Sequence, residues 1–315
     1  MSHGGPGGYR GRMDRRPVGV ALVVLALTAC MVLPALSGLR STGTAVPIAL
    51  PAPLAVGDCL AWVSSSAADT SQNPPLLSAD EVLAGSCRGS VAGEVVAFWS
   101  TQEELATAPR SRRAGACSAP MAEYAGLYPA GTAARTSAAA DDMVSWRPVL
   151  FYRAYLVTPT DLERRAGREW SACVIAPGGG LPYRGRLADS YRAGTVPVAF
   201  GSCWTPDPSG LLIGPADCAQ PHSAQLLATG WTGERSLPPT ADVAESCAGI
   251  AATLMDTDDP THGGQLTLMA DRMDRLNRGW TGNPASVGCF VAVAGDRRIT
   301  GLVIGLGDRP VPFVS

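Results

Sequence analysis

Residues 87–97, CRGSVAGEVVA, and residues 218–228, CAQPHSAQLLA, decide how this chain is built. In each, a cysteine is followed by the same pattern, Glu94-Val95-Val96-Ala97 in one and Gln225-Leu226-Leu227-Ala228 in the other. Trp99 and Trp231 come next, displaced by one residue. Upstream, Val56-Gly57-Asp58-Cys59 corresponds to Phe200-Gly201-Ser202-Cys203. Successive cysteines from Cys59 to Cys87, Cys117 and Cys173 are 28, 30 and 56 residues apart; from Cys203 to Cys218, Cys247 and Cys289 they are 15, 29 and 42 apart. The middle gaps differ by one. Two copies of one unit account for this pattern, although two copies do not make a solenoid.

Periodicity supplies the elements. Val243, Cys247, Ile250 and Leu254 mark one face of a helix capped near Thr240, and Cys117, Met121, Tyr124 and Tyr128 repeat that spacing. Pro120 is tolerated there only in a first turn, so that helix starts near Cys117. Thr160-Asp161-Leu162-Glu163 reads as a capping box. Strands are expected at 93–99, 149–157, 171–176, 225–229 and 287–294, with 298–304 returning as a terminal hairpin. Helices and strands are interspersed without Gly-rich nucleotide turns. The expected fold class is α+β: an N-terminal transmembrane helix followed by two tandem disulfide-stapled antiparallel α+β domains.

The leader sets the compartment. Pro17 to Leu39 carries no charge and is bounded by Arg16 and Arg40, long enough to span a bilayer. Arg10, Arg12, Arg15 and Arg16 precede it, which orients the N-terminus to the cytoplasm. Two other readings stay open: a cleaved signal peptide, with small residues Gly43 and Ala45 before the cut, and a lipobox, Leu27-Thr28-Ala29-Cys30, with Cys30 lipidated. Against the lipobox, Met31-Val32-Leu33 prolongs the apolar run. All three export the remainder. The expected organisation is a cytoplasmic segment 1–16, a transmembrane helix 17–39, a linker 40–54, and domains at 55–192 and 197–315.

Of nine cysteines, eight lie beyond the leader: Cys59, Cys87, Cys117, Cys173, Cys203, Cys218, Cys247 and Cys289. An even number in an exported segment reads as a disulfide framework, and no Cys-x-x-Cys spacing points to a redox site or a zinc ribbon. If pairing stays within each copy, three connectivities remain per copy. The duplication favours first with second and third with fourth.

Composition removes whole classes of chemistry. There are 25 basic and 27 acidic residues, a balance that gives no nucleic-acid footprint. Every basic residue is arginine, so Schiff-base lysines and Walker-type phosphate loops are excluded. The chain has neither a Gly-x-Ser-x-Gly nor a His-Glu-x-x-His motif. Asp256–His262 is the densest acidic cluster, but Pro260 and Thr261 stand where a calcium loop needs a ligand and a glycine. His222 reads as a turn histidine bonded to the backbone, and no metal partner lies near it. The adjacent pairs Glu103-Glu104 and Asp141-Asp142 point apart in a strand and make poor acid–base dyads. Trp62, Trp99, Trp146, Trp170, Trp204, Trp231 and Trp280 are expected in cores against disulfides. No catalytic residue, cofactor or metal is expected.

Gly57-Asp58-Cys59, Cys218-x-x-Pro221-His222 and the terminal Thr300-Gly301-Leu302 resemble the septum-formation-related domain, with Tyr183–Leu187 as a weaker closing motif in the first copy. The first copy departs from the pattern at Val91, opposite His222. That family comprises membrane-anchored extracytoplasmic proteins of high-GC Gram-positive bacteria. The resemblance implies an envelope location and a link to cell division, and it carries no catalytic residues. The expectation is a non-enzymatic extracytoplasmic protein, held by one N-terminal helix, with envelope or division proteins as partners. The alternative is a module binding a wall fragment or small molecule between the copies.

Overall fold

A computed structural model describes residues 16–36, 49–64, 74–100, 116–127, 144–206, 212–231, 240–273 and 286–314. The chain divides into two compact units, Met1–Pro51 and Ala52–Ser315. In the first, helix α1 spans Arg16–Leu36, and Thr28 Oγ1 donates to the Val24 carbonyl. Leu22, Val23, Leu25 and Leu27 are all more than half exposed on it. Among the described residues, no helix is long and apolar enough to cross a membrane.

The second unit is mixed α+β. Its first sheet uses β1 (Cys59–Val63), β2 (Leu76–Ser78), β3 (Val82–Gly85), β4 (Gly93–Trp99), β6 (Tyr152–Thr158) and β7 (Ser171–Pro177). The order is β2-β6-β7-β4-β1-β3. The second sheet uses β8 (Cys203–Pro206), β9 (Leu212–Ala216), β10 (Ala224–Trp231), β11 (Leu266–Arg272) and β12 (Ser286–Val293), in the order β11-β12-β10-β8-β9. Strand for strand, β6-β7-β4-β1-β3 and β11-β12-β10-β8-β9 share one order, and every pair in both is antiparallel. Register agrees as well. Glu94 lies opposite Cys59 and Ile175, while Gln225 lies opposite Cys203 and Val291. The register shifts between Val95 and Ala97 on β4, and between Leu226 and Ala228 on β10. A bulge at the same step re-aims the same side chains.

Helix α2 (Ser118–Tyr124) follows the third cysteine, α3 (Asp161–Arg165) follows β6, and α4 (Thr240–Met255) carries Cys247. Thr160 caps α3: its hydroxyl accepts from Glu163 N, and Glu163 Oε2 accepts from Thr160 N. That is the reciprocal box expected from sequence. The disulfides are Cys59–Cys87, Cys117–Cys173, Cys203–Cys218 and Cys247–Cys289, with Cα atoms 5.1–5.6 Å apart. Two of them tie α2 to β7 and α4 to β12.

Three expectations need correction. The stretch 149–157 is not one strand: β5 (Ser145–Pro148) joins β10 of the second sheet, and β6 begins only at Tyr152. Proline ends the first ladder, and Val149 N and Phe151 N then donate to the carbonyls of Leu227 and Phe200. The 298–304 stretch forms no hairpin with β12; Ile299 makes isolated bridges to His222 and Phe313. Gly301 and Gly305, at φ +84° and +63°, bend the chain away, and their N–H groups bond Cys218 O and Leu254 O. The first sheet is also not wholly antiparallel, since β2 runs parallel to β6.

One core cluster includes residues from both sheets, among them Val96, Cys173, Phe200, Leu227 and Cys289. Leu60, Tyr155 and Trp170 form a separate cluster, as do Trp204, Met273 and Phe290. Burying apolar area on this scale, at about 25 cal/mol per Å², is the main force holding the unit together.

Candidate functional site

Glu94 is the second residue of β4 and is fully buried. Its Oε1 accepts from Tyr183 OH at 2.7 Å and Leu187 N at 2.7 Å. Its Oε2 accepts from Tyr124 OH at 2.6 Å and Arg186 Nε at 3.1 Å. Arg186 also donates to Gly57 O at 2.9 Å and to Tyr124 OH at 3.0 Å. Four donors saturate the carboxylate. Burial, and then the hydrogen bond to Glu94, push the Tyr124 phenol up to about 12. Burial also raises Tyr183, and the bond to Tyr124 leads the rise of Arg186. A carboxylate with every lone pair engaged cannot accept a proton from a substrate. Its work is to tie β4, α2 and the segment 183–187 to the opening turn.

The second sheet rebuilds that position without charge. Gln225 Oε1 accepts from Val303 N at 2.8 Å, as Glu94 accepts from Leu187 N. Val91 and Tyr183 form one isolated bridge, His222 and Ile299 the other. Tyr124 O accepts from Asp189 N, and Leu254 O from Gly305 N. Leu254, Ile299 and Leu302 thus stand where Tyr124, Tyr183 and Arg186 surround Glu94. The charge and its three side-chain donors are exchanged together, as the cost of an unpaired buried charge requires.

His222 is fully buried, and its Nδ1 lies 2.8 Å from Gln220 O. A carbonyl only accepts, so Nδ1 carries the proton and Nε2 is a bare lone pair. Burial lowers the imidazole pKa, partly offset by that bond. Among the described residues, His222 Nε2 and Gln225 Nε2 have no partner.

The other sequence candidates do not converge on a site. Cys30 is free and exposed on α1. In the acidic loop, Asp259 accepts from Thr261 N, Thr261 Oγ1 and Gly263 N, and the Thr261 hydroxyl leads the lowering of its pKa. No three His, Cys, Asp or Glu side chains among the described residues could hold a metal. Glu103-Glu104, Asp141-Asp142 and Trp280 lie outside the described residues. Trp146, Trp170 and Trp204 are buried, whereas Trp62 is 50% exposed on β1.

A cleft of about 570 Å³ opens where the two sheets meet. One wall comes from the first sheet's side: Phe151, Pro177, Leu181, Pro182, Tyr183 and Arg184. The rest of the lining, from the second sheet's side, includes Val198, Ala199, Pro215, Ala216 and Asp217. Behind it, Tyr183 packs edge-on against Phe200, with ring centroids 4.9 Å apart. The volume is that of a small-molecule site, and the lining is mainly apolar with a few polar groups. Leu181 is 56% and Val198 37% exposed. Sequence reasoning named Tyr183–Leu187 only as a closing motif and missed Arg184, Asp217 and the Glu94 network. The one available signal was Arg186 and Glu94 in the first sheet's part of the chain against Leu302 and Gln225 in the second's.

No family model, curated protein or solved structure matches this chain.

Proposed function

We propose that this chain is a membrane-anchored extracytoplasmic binding protein, built from two copies of one disulfide-stapled unit, that takes a small ligand in the cleft at their junction. The cleft carries the reading: it draws its walls from both sheets and leaves Leu181 and Val198 open to solvent. The uncharged run from Pro17 to Leu39 supports the anchor. Four disulfides suit an oxidising compartment. The common strand order of the two sheets supports duplication. Binding is favoured over catalysis because Glu94 is saturated and His222 is sealed from solvent.

Ligand-observed NMR with a small-molecule library tests it, on the wild-type chain and on Ala199→Trp, which fills the cleft. Hits that bind the wild type and are lost in the variant are expected. Equal binding by a variant with unchanged melting behaviour would remove the cleft from consideration. The resemblance to the septum-formation-related domain points the same reading toward envelope and division partners. A fluorescent fusion concentrating at midcell is the expected outcome, and uniform membrane fluorescence would count against it.

A further inference from the structure

The cleft's charges are asymmetric. Arg184 lines the wall on the first sheet's side, exposed and making no ion pair among the described residues. Asp217, next after β9, also lines the cleft and is exposed as well. Its Oδ1 accepts from Ala219 N at 2.9 Å, which fixes the carboxylate's orientation and leaves Oδ2 unused by that turn. Between them the surface is apolar and stiff: Phe151, Pro177, Pro182, Val198 and Pro215 lose little side-chain entropy on contact. The other titratable group of the lining, Tyr183, already donates its proton to Glu94. Arg184 and Asp217 are therefore the charged groups this site offers. One cation and one carboxylate in the same apolar lining complement a ligand with both charges and an apolar body. A simple anion would meet Asp217 unfavourably, and a simple cation would meet Arg184 likewise.

Resting on the cleft as the binding site, we infer that it receives a short apolar peptide with both termini free. The terminal carboxylate pairs with the Arg184 guanidinium, whose planar fork suits two carboxylate oxygens. The terminal ammonium pairs with Asp217. The apolar side chains lie against the proline and phenylalanine surface. Discrimination comes from the ends, because an end that loses its charge leaves Arg184 or Asp217 partly desolvated and unpaired.

Calorimetric titration of the full chain in detergent, using the tripeptide Leu-Ala-Leu and its N-acetylated, C-amidated and doubly capped forms, tests this. The free-ended peptide is expected to bind at least tenfold more tightly than either singly capped form. Arg184→Gln should abolish the preference for a free carboxylate and keep the preference for a free amine; Asp217→Asn should do the reverse. Equal binding of free and capped peptides overturns the inference, as does a substitution that leaves both preferences intact or a failure of all four peptides to bind. If library ligands remain sensitive to Ala199→Trp while the peptides fail, the peptide inference falls and the cleft reading stands. If nothing is sensitive to Ala199→Trp, both fall.

Discussion

At Glu94, one buried carboxylate organises four donors from two separate parts of the chain, α2 and the segment 183–187. Glu94→Gln keeps the shape but turns one acceptor into a donor facing groups that already donate. A loss of about 3 kcal/mol is expected, as for breaking a buried charged pair, and urea denaturation measures it. Little change would show that the donors find other partners. His222 gives the converse case, since the fold holds it neutral below the ordinary value of 6.5. As pH falls, the unfolded chain takes up the proton first. The stability contributed by neutral His222 is therefore complete above about pH 6.5 and is lost progressively below it. His222→Val, which installs the residue found at Val91, should flatten the melting temperature between pH 7 and 5. A slope identical to wild type would place the titration elsewhere.

Among the elements, α3 is only five residues long and depends on its cap. Thr160→Ala should cost about 1 kcal/mol, read from the denaturation midpoint. Disulfides act on larger segments. Cys117–Cys173 closes a separation of 56 residues and Cys203–Cys218 one of 15. Loop-closure entropy ranks the longer as more stabilising, by about 1 kcal/mol. Replacing each pair by alanines and comparing unfolding free energies checks the ranking; the reverse order would mean that local packing, not chain entropy, dominates.

On the scale of the molecule, β5 couples the sheets. It precedes the strands of the first sheet's second half, yet it pairs with β10, and Trp146 Nε1 donates to Ser246 Oγ of α4 at 2.8 Å. Unfolding one sheet tears a strand and a buried indole from the other. A single calorimetric transition is expected for the second unit, and Trp146→Ala should lower it and split it in two. Two transitions in the wild type would show that this strand does not couple the sheets. All eight cysteines from Cys59 onward are paired, so unreduced, denatured protein should titrate one thiol, Cys30.

Local pattern in the sequence was enough for the α+β class, the α3 capping box, the helix at Thr240–Met255, four of the strands and the disulfide partners. Each depends on residues a few positions apart or on spacing that the two halves share. The bend at Gly301 and Gly305, the transfer of β5 to the far sheet and the parallel β2–β6 pair depend on partners remote in sequence, which local pattern does not encode. The same holds for the site. Glu94 and Arg186 are 92 residues apart, and Arg184 and Asp217 line one cleft beside the packing of Tyr183 against Phe200. Periodicity and cysteine spacing determine which segments form and how they are stapled; the burial of two sheets in a shared core decides which side chains meet.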